Sequence, residues 1–129
     1  MGQLGNSGGQ KFWSWYGFES RGEWCACFAS WCAEQSGMVA SGQVLKFSSC
    51  AVGASWFQGQ GRWKGKGYTP SAGDFIFFDW NKDGQVDHVG IVVNVANGRV
   101  NTIEGNTSNM VARRSYQLGG IVIVGYGYI

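Results

Sequence analysis

One apolar helix candidate precedes a series of β-strand candidates, and this order restricts the fold more than any other feature of the chain. Residues Trp24 to Ser36 are mostly apolar or small and none is β-branched, while Gly37 follows where a left-handed helix cap would lie. Upstream, Ser20 and Glu23 have the spacing of a capping box, which would start the helix near Arg21. The pattern predicts one buried helix.

The second half of the chain changes to β-rich segments separated by turn residues. Asn97-Gly98 lies between two of them and is a strong hairpin signal, because both residues tolerate the positive φ of a tight turn. Residues 53–73 are glycine-rich and predict loops with room for one short helix. We therefore expect a single domain over residues 1–129 with an α+β fold, in which the N-terminal helix packs on a C-terminal antiparallel sheet. The predicted strands are Asp74 to Trp80, His88 to Val95, Arg99 to Glu104 and Ile121 to Tyr128.

Composition excludes two classes of partner. The formal net charge is +2 and the Lys and Arg residues are scattered, so the chain lacks the basic patch expected of a nucleic-acid-binding protein. No segment approaches the roughly 18 apolar residues that cross a bilayer, so we expect no membrane insertion. Residues 1–10 are too polar for a signal peptide. We expect a monomer.

The chain contains the three residue types that a thiol needs to hydrolyse an amide: a nucleophile, a base and a group that orients the base. Cys25 lies near the start of the predicted helix, where the helix dipole favours a thiolate. His88 is the only histidine and begins a predicted strand, and Glu104 ends the next strand. These positions make Cys25 the candidate nucleophile and His88 the candidate base.

The register of the predicted hairpin decides whether these side chains can meet. With a two-residue turn at Asn97-Gly98, Glu104 and Asn106 would lie on the opposite sheet face from His88. A three-residue loop from Ala96 to Gly98 instead pairs His88 with Asn106 and puts all three polar side chains on one face. We therefore predict the three-residue loop.

The remaining cysteines are candidates for structural roles. Cys27 and Cys32 lie in the same predicted helix as Cys25, which argues against pairing among these three, whereas Cys50 could reach one of them. We favour free thiols, with Cys27, Cys32 and Cys50 as small buried hydrophobic residues. Because paired C-x-x-C spacing is absent, the sequence does not predict a zinc site.

An acidic segment ahead of the candidate base matches part of a calcium-binding loop. Asp79, Asn81, Asp83 and Asp87 run as D-x-N-x-D-G-x-x-D, but the position of the closing bidentate glutamate is occupied by Gly90. We favour a polar turn between two strands, although the same segment could bind calcium.

Aromatic residues make up 16% of the chain. Such rings bury much area and must partly form the core, but a few should line the cleft. Trp56 and Phe57 lie in the glycine-rich middle segment. We predict that these two rings stack on a sugar or peptide substrate.

Several segments resemble one known family and occur in its order. They are EWCACFASWCAEQSG from Glu23, DHVGIVVNV from Asp87, TIEGNTS from Thr102 and the terminal VGYGYI. They are similar to the CHAP family, the cysteine, histidine-dependent amidohydrolases and peptidases of the papain-like superfamily. The resemblance covers nearly the whole chain and implies a papain-like arrangement of the predicted helix and sheet.

The resemblance also implies a function. By similarity, Cys25 would be the nucleophile, His88 the base, Glu104 the orienting acid and Asn106 a further polar partner near the histidine. The usual substrates of the family are peptidoglycan amide bonds, between muramic acid and the stem peptide or within the peptides, and no cofactor is required. The chain would then act at the bacterial cell wall, as an endolysin or an autolysin. Two alternatives stay open: an inactive wall-binding module, and a protease, deamidase or transferase directed at proteins.

Overall fold

The computed structural model describes residues 3–5, 8–19, 23–107 and 109–129. In these residues the elements are β1 Gln3–Gly5, α1 Gln10–Tyr16, α2 Cys25–Gln35, α3 Cys50–Gly59, β2 Trp63–Gly65, β3 Phe75–Phe78, β4 His88–Ala96, β5 Arg99–Thr107, β6 Met110–Gln117 and β7 Ile123–Gly127. The strands form one sheet in the order β1-β6-β5-β4-β3-β7-β2, and neighbouring strands are antiparallel. The predicted α+β class, with the cysteine-bearing helix packed on an antiparallel sheet, is confirmed.

Helix α2 begins about one turn later than the capping-box spacing indicates. Cys25 is its first residue, and Trp24 precedes it as the N-cap with no side-chain cap bond. Trp24 is fully buried, and its ring lies where a Cβ on Gly9 or Gly105 would clash, so the chain is anchored just before the helix. Ser20, the predicted capping residue, lies outside the described residues.

The C-terminal end of α2 follows the prediction. Gly37 has a φ of 77°, its N–H donates to the carbonyl of Glu34, and the N–H of Met38 donates to the carbonyl of Ala33, each at 3.0 Å. These two bonds form a Schellman motif, in which a left-handed residue is least costly when it is glycine. The predicted cap at Gly37 is confirmed.

Small side chains let α2 lie close to the sheet. Ala26, Ala29 and Ala33 share one buried cluster with Phe75 and Phe77 of β3. The alternate residues of β3 are buried on the opposite face, so the whole strand is hidden from water. Burial of each phenylalanine contributes about 1.5–3 kcal/mol, which fixes β3 and its neighbour β4 under the helix.

The turn of the β4–β5 hairpin differs from the prediction. Ala96 pairs with Arg99, which leaves Asn97 and Gly98 as a two-residue turn with φ of 55° and 74°. Positive φ at both central residues is the type I′ geometry that matches the twist of a hairpin. The predicted three-residue loop is therefore wrong.

A β-bulge in β4 restores the register that the longer loop was expected to provide. The pairing shifts by one residue just after Val92, and Ile91 then pairs with Ile103. A shift of one residue moves every later side chain to the other face of the sheet. His88 and Glu104 therefore lie on the same face, as predicted, although the cause is a bulge and not the loop.

Several elements carry no clear sequence signal. α3 begins at Cys50, ahead of the segment in which one short helix is expected. β6 contains two arginines and other polar residues that mask its strand character, and α1 is held by tertiary contacts such as the stacking of Phe12 on Trp24 at 5.6 Å. Among the described residues, no helix has the length and apolar character to cross a membrane.

Candidate active site

A cleft of about 320 Å³ opens where the first turn of α2 meets the start of β4 and the end of β5. Three of the four residues predicted to be catalytic line this cleft, and the fourth, Glu104, is fully buried behind it. The structure therefore brings together residues that are far apart in the chain. The lining residues are Glu23, Cys25, Trp80, Asp87, His88, Asn106 and Thr107.

Cys25 lies at the N-terminal end of α2, as predicted. N–H groups in the first turn of a helix have no partner within the helix, and together with the helix dipole they favour a negative charge on the sulfur. Gly105 lets this turn approach β5 closely, because a Cβ at that position would lie 2.4 Å from the Cβ of Phe28. The glycine between Glu104 and Asn106 thus sets the distance between helix and sheet.

His88 and Glu104 form a buried hydrogen-bonded pair. The Nε2 atom of His88 lies 2.8 Å from Oε1 of Glu104. Gly90 makes room for the carboxylate, since a Cβ there would lie 2.6 Å from Cγ of Glu104. A carboxylate partner keeps Nε2 protonated, so Nδ1 is the ring nitrogen left to hydrogen-bond with Cys25.

The second carboxylate oxygen of Glu104 accepts two further hydrogen bonds. The Oγ1 atom of Thr102 donates to it at 2.5 Å and the hydroxyl of Tyr116 at 2.8 Å. These bonds fix a side chain that is 0% exposed. Neither partner is among the predicted site residues. Strand alternation could have indicated Thr102, which lies two residues before Glu104, but finding Tyr116 requires knowledge of β6.

Asn106 joins the end of β5 to the segment before α2. Its Nδ2 atom donates to Oε2 of Glu23 at 2.5 Å, and both side chains line the cleft. Asn106 has a φ of 55° and lies where the β5–β6 pairing is irregular, between Glu104 and Thr107. Asparagine tolerates this left-handed conformation better than most residues. Glu23, whose only predicted role was in a helix cap, is therefore part of the cleft wall.

Cys50, predicted to be a structural hydrophobic residue, contacts the candidate nucleophile. The sulfur atoms of Cys25 and Cys50 are 3.3 Å apart, and both thiols are free. The hydrogen bond from Cys50 holds the pKa of Cys25 well below its usual value, against the opposing effect of burial. The hydrogen bond and charge of His88, and the N–H of Val89, lower it further. The same sulfur contact and burial raise the pKa of Cys50.

The pKa of His88 is raised although its ring is buried. Burial alone would lower it, but the hydrogen bonds and charges of Cys25 and Glu104 raise it to about 9. A lowered pKa at the sulfur and a raised one at the imidazole favour a thiolate–imidazolium pair at neutral pH. Burial instead raises the pKa of Cys27 to about 11 and that of Cys32 to about 12, as expected of inert structural thiols.

Two aromatic rings pack around His88. The ring centroids of Phe78 and Trp80 lie 5.6 Å and 5.7 Å from that of the imidazole, and the two rings stack on each other at 4.8 Å. Trp80 is 42% exposed and lines the cleft. It therefore offers a ligand an apolar face beside the candidate base.

Trp56 and Phe57, predicted to bind substrate, do not line this cleft. Phe57 is 0% exposed in the core, so its prediction is wrong. Trp56 is partly buried against the same core, with the guanidinium of Arg62 5.1 Å from its ring, and its role in substrate binding stays a prediction. Both residues lie on α3, whose apolar face turns toward the sheet.

The acidic segment before β4 forms a turn held by its own backbone. The carboxylate of Asp79 accepts the N–H of Asp83 at 3.2 Å, and that of Asp87 accepts the N–H of Trp80 at 2.9 Å. This is the polar turn that the sequence favours. Within the described ranges, no three acidic, His or Cys side chains are grouped to hold a metal ion. Calcium binding by Asp79, Asn81, Asp83 and Asp87 stays a prediction.

The fold is similar to that of a solved protein, Ly7917. The crystal structure of Ly7917 matches with a TM-score of 0.55 and 20% sequence identity, covering 79% of this chain and 51% of that one. The crystal structure of Ly7917 with the hydrolyzing product of MDP matches with a TM-score of 0.55 and 22% identity, covering 79% and 52%. This chain thus spans about half the length of the structures that it matches. No curated protein sequence matches it.

The CHAP domain family matches residues 15–106, which is more than two thirds of the 129 residues. That range contains Cys25, His88, Glu104 and Asn106, and with them α2, β4 and all of β5 except its last residue. The chain belongs to the CHAP domain family.

Proposed function

We propose that this chain is a peptidoglycan hydrolase that cleaves a cell-wall amide bond by cysteine nucleophilic catalysis. It would be an N-acetylmuramoyl-L-alanine amidase or a peptide endopeptidase. The observation that carries this proposal is the series of hydrogen bonds from Cys25 through His88 to Glu104. Cys25 and His88 line the same cleft, and Glu104 lies behind it. Such a series supplies a nucleophile, a base and an orienting acid.

Acylation begins from the thiolate of Cys25 and the imidazolium of His88. The sulfur attacks the amide carbonyl, and the backbone N–H of Cys25, at the start of α2, would donate to the oxyanion. His88 then gives its Nδ1 proton to the leaving amine as the C–N bond breaks. Glu104 keeps the ring oriented through its hydrogen bond to Nε2.

Deacylation uses the neutral imidazole that the first step leaves behind. His88 takes a proton from a water molecule, the resulting hydroxide attacks the thioester, and the thiolate of Cys25 leaves. One water is consumed, a carboxylic acid and an amine are released, and the starting ion pair is restored. Each proton transfer is thus carried out by a residue of the chain.

Peptidoglycan is the proposed substrate because of the relatives and the character of the cleft. Ly7917, which shares the fold, has been crystallised with the hydrolyzing product of MDP. The exposed face of Trp80 gives a sugar or peptide a surface on which to pack, and the carboxylate of Glu23 supplies an acceptor at the cleft wall. We infer that the protein acts at the bacterial cell wall.

Digestion of purified sacculi tests this proposal. We expect the wild-type protein to release soluble fragments, and Cys25→Ala and His88→Ala to release none while remaining folded. Cys32→Ala removes a thiol from the same helix outside the cleft and should retain activity. Mass spectrometry of the fragments identifies the residue that carries the new amine, and so the bond that is cut.

The alternatives give different results in the same assay. Substantial fragment release by Cys25→Ala contradicts the assigned nucleophile. A wild-type protein that binds sacculi and releases nothing is a wall-binding module. Activity on casein or a glutamine peptide, with none on sacculi, indicates an enzyme directed at proteins.

A further inference from the structure

Two helix N-termini meet at one pair of sulfur atoms. Cys50 is the first residue of α3, as Cys25 is of α2, and the two sulfurs lie 3.3 Å apart. Both residues are buried. The side chain of Ser49 already caps α3 by accepting the N–H of Val52 at 3.3 Å, so the thiol of Cys50 is not needed for that purpose.

The surroundings of the two sulfurs decide which one keeps its proton. Cys25 faces His88 and the N–H of Val89, and both stabilise a negative charge. Cys50 is near the carboxylate of Asp87, which disfavours a negative charge there, and burial acts in the same direction. The proton therefore stays on Cys50, and its S–H is the donor in the contact between the two thiols.

The core holds Cys50 in this position. Ala54 and Phe57 of α3 belong to the same buried cluster as the candidate nucleophile. Gly53, also in α3, lies against the ring of Phe47, where a Cβ would be 2.5 Å from the nearest ring atom. Because such packing leaves no free space, α3 cannot move away from α2 without disrupting the core, and the two sulfurs stay opposed.

We propose that Cys50 is a positioning residue of the active site, whose thiol donates a hydrogen bond to the Cys25 thiolate and holds it beside His88. This rests on the proposed function, which makes Cys25 the nucleophile. Such a donor has two opposite effects. It increases the ionised fraction of Cys25, and it lowers the reactivity of each thiolate, because the nucleophilicity of a thiolate falls with its proton affinity.

Alkylation of Cys25 by iodoacetamide measures both effects without a substrate. The protein is reduced, freed of reductant and alkylated over a range of pH, and modification of Cys25 is followed by peptide mass mapping. In Cys50→Ala we expect the pH midpoint to rise by about one unit, the contribution of one hydrogen bond to a charged group. The plateau rate should increase about threefold. Cys50→Ser keeps a donor, and Cys32→Ala is the matched control, so both should stay near the wild type.

A midpoint and plateau that do not change in Cys50→Ala overturn the proposal, because loss of a purely structural thiol leaves the ionisation of Cys25 unaltered. If thermal unfolding shows that Cys50→Ala does not fold, Cys50→Val fills the space without a donor and takes its place. The wild-type protein provides a second check: Cys25 should react before Cys50 at neutral pH, and the reverse order overturns the proposal. A protein that digests sacculi but shows no shift rejects only the role of Cys50, whereas a wild type that digests nothing rejects the proposed function alone.

Discussion

Replacing Glu104 by glutamine removes the charge next to His88 while keeping the size of the side chain. Glutamine offers one acceptor oxygen and one donor amide group. The hydroxyls of Thr102 and Tyr116 already meet the second carboxylate oxygen, and both can rotate to accept from an amide. The amide oxygen is therefore left for Nε2 of His88, so that the imidazole keeps its tautomer.

The expected loss of activity is moderate because the tautomer is kept. A hydrogen bond to a charged group contributes about 1.5–3 kcal/mol and a neutral one about 0.5–1.5 kcal/mol. Replacing the carboxylate of Glu104 by an amide should therefore weaken the bond to the imidazolium by about 1–1.5 kcal/mol. That corresponds to about one pKa unit, which takes the pKa of His88 from about 9 to roughly 8. Well above pH 9, where most of the ring has lost its proton in both proteins, fragment release by the variant should therefore be about tenfold lower than that by the wild type. Loss of the tautomer would cost far more, about 10⁴-fold in a comparable triad.

The assay is the pH profile of kcat/KM on a soluble peptidoglycan fragment, for the wild type and Glu104→Gln. Glu34→Gln makes the same change at an exposed position of α2 and serves as the control. The alkaline limb should move to lower pH by about one unit in Glu104→Gln and stay in place in the control. If Glu104→Gln changes neither the alkaline limb of the profile nor the value of kcat/KM, the claim that this carboxylate holds the proton on His88 is refuted.

Tyr116→Phe keeps the aromatic packing but removes one donor from the buried carboxylate, so urea unfolding should show a loss of about 1–3 kcal/mol; wild-type stability would argue against that hydrogen bond. Gly105→Ala places a methyl group 2.4 Å from a side-chain atom of α2, so we expect a loss of about 1–3 kcal/mol and slower digestion of sacculi. Gly67→Ala, which has open space around its added Cβ, should change neither, and equal effects in the two variants would contradict the close approach. The pKa of His88 is raised to about 9 and that of Cys25 is lowered, so activity should be constant across neutral pH and fall with a midpoint near pH 9. The fall follows because the imidazolium loses the proton that the leaving amine needs. A decline that begins near pH 6.5 would contradict the pairing of the two residues.

The helix that carries Cys25 could be predicted because local signals define it: small and apolar residues, and a glycine where the chain turns left-handed. The register of the β4–β5 hairpin was predicted for the residues near the cleft but through the wrong loop. The chemistry requires His88 and Glu104 to share a face, and a bulge after Val92 meets that requirement. The sequence does not mark the bulge, because Val93 continues the apolar run of Ile91 and Val92.

Apart from the predicted meeting of Cys25, His88 and Glu104, local sequence patterns did not specify the contacts between distant segments. Cys50 meets Cys25 only because two helices pack with their N-termini together, and Tyr116 reaches Glu104 only after β6 has paired with β5. Phe57 was misassigned because the glycine-rich composition of its segment concealed a helix. In each case the missing information is the tertiary packing, which local patterns do not contain.

The chain has one histidine, so an NMR titration of its imidazole reports on His88 alone and tests the pairing with Cys25 most directly. In the wild type we expect a doubly protonated ring at neutral pH that titrates near 9. In Cys25→Ala the pKa should be lower, because the hydrogen bond and charge of the sulfur are removed. A wild-type ring that titrates at or below 6.5, with no change in Cys25→Ala, would contradict the proposed ion pair.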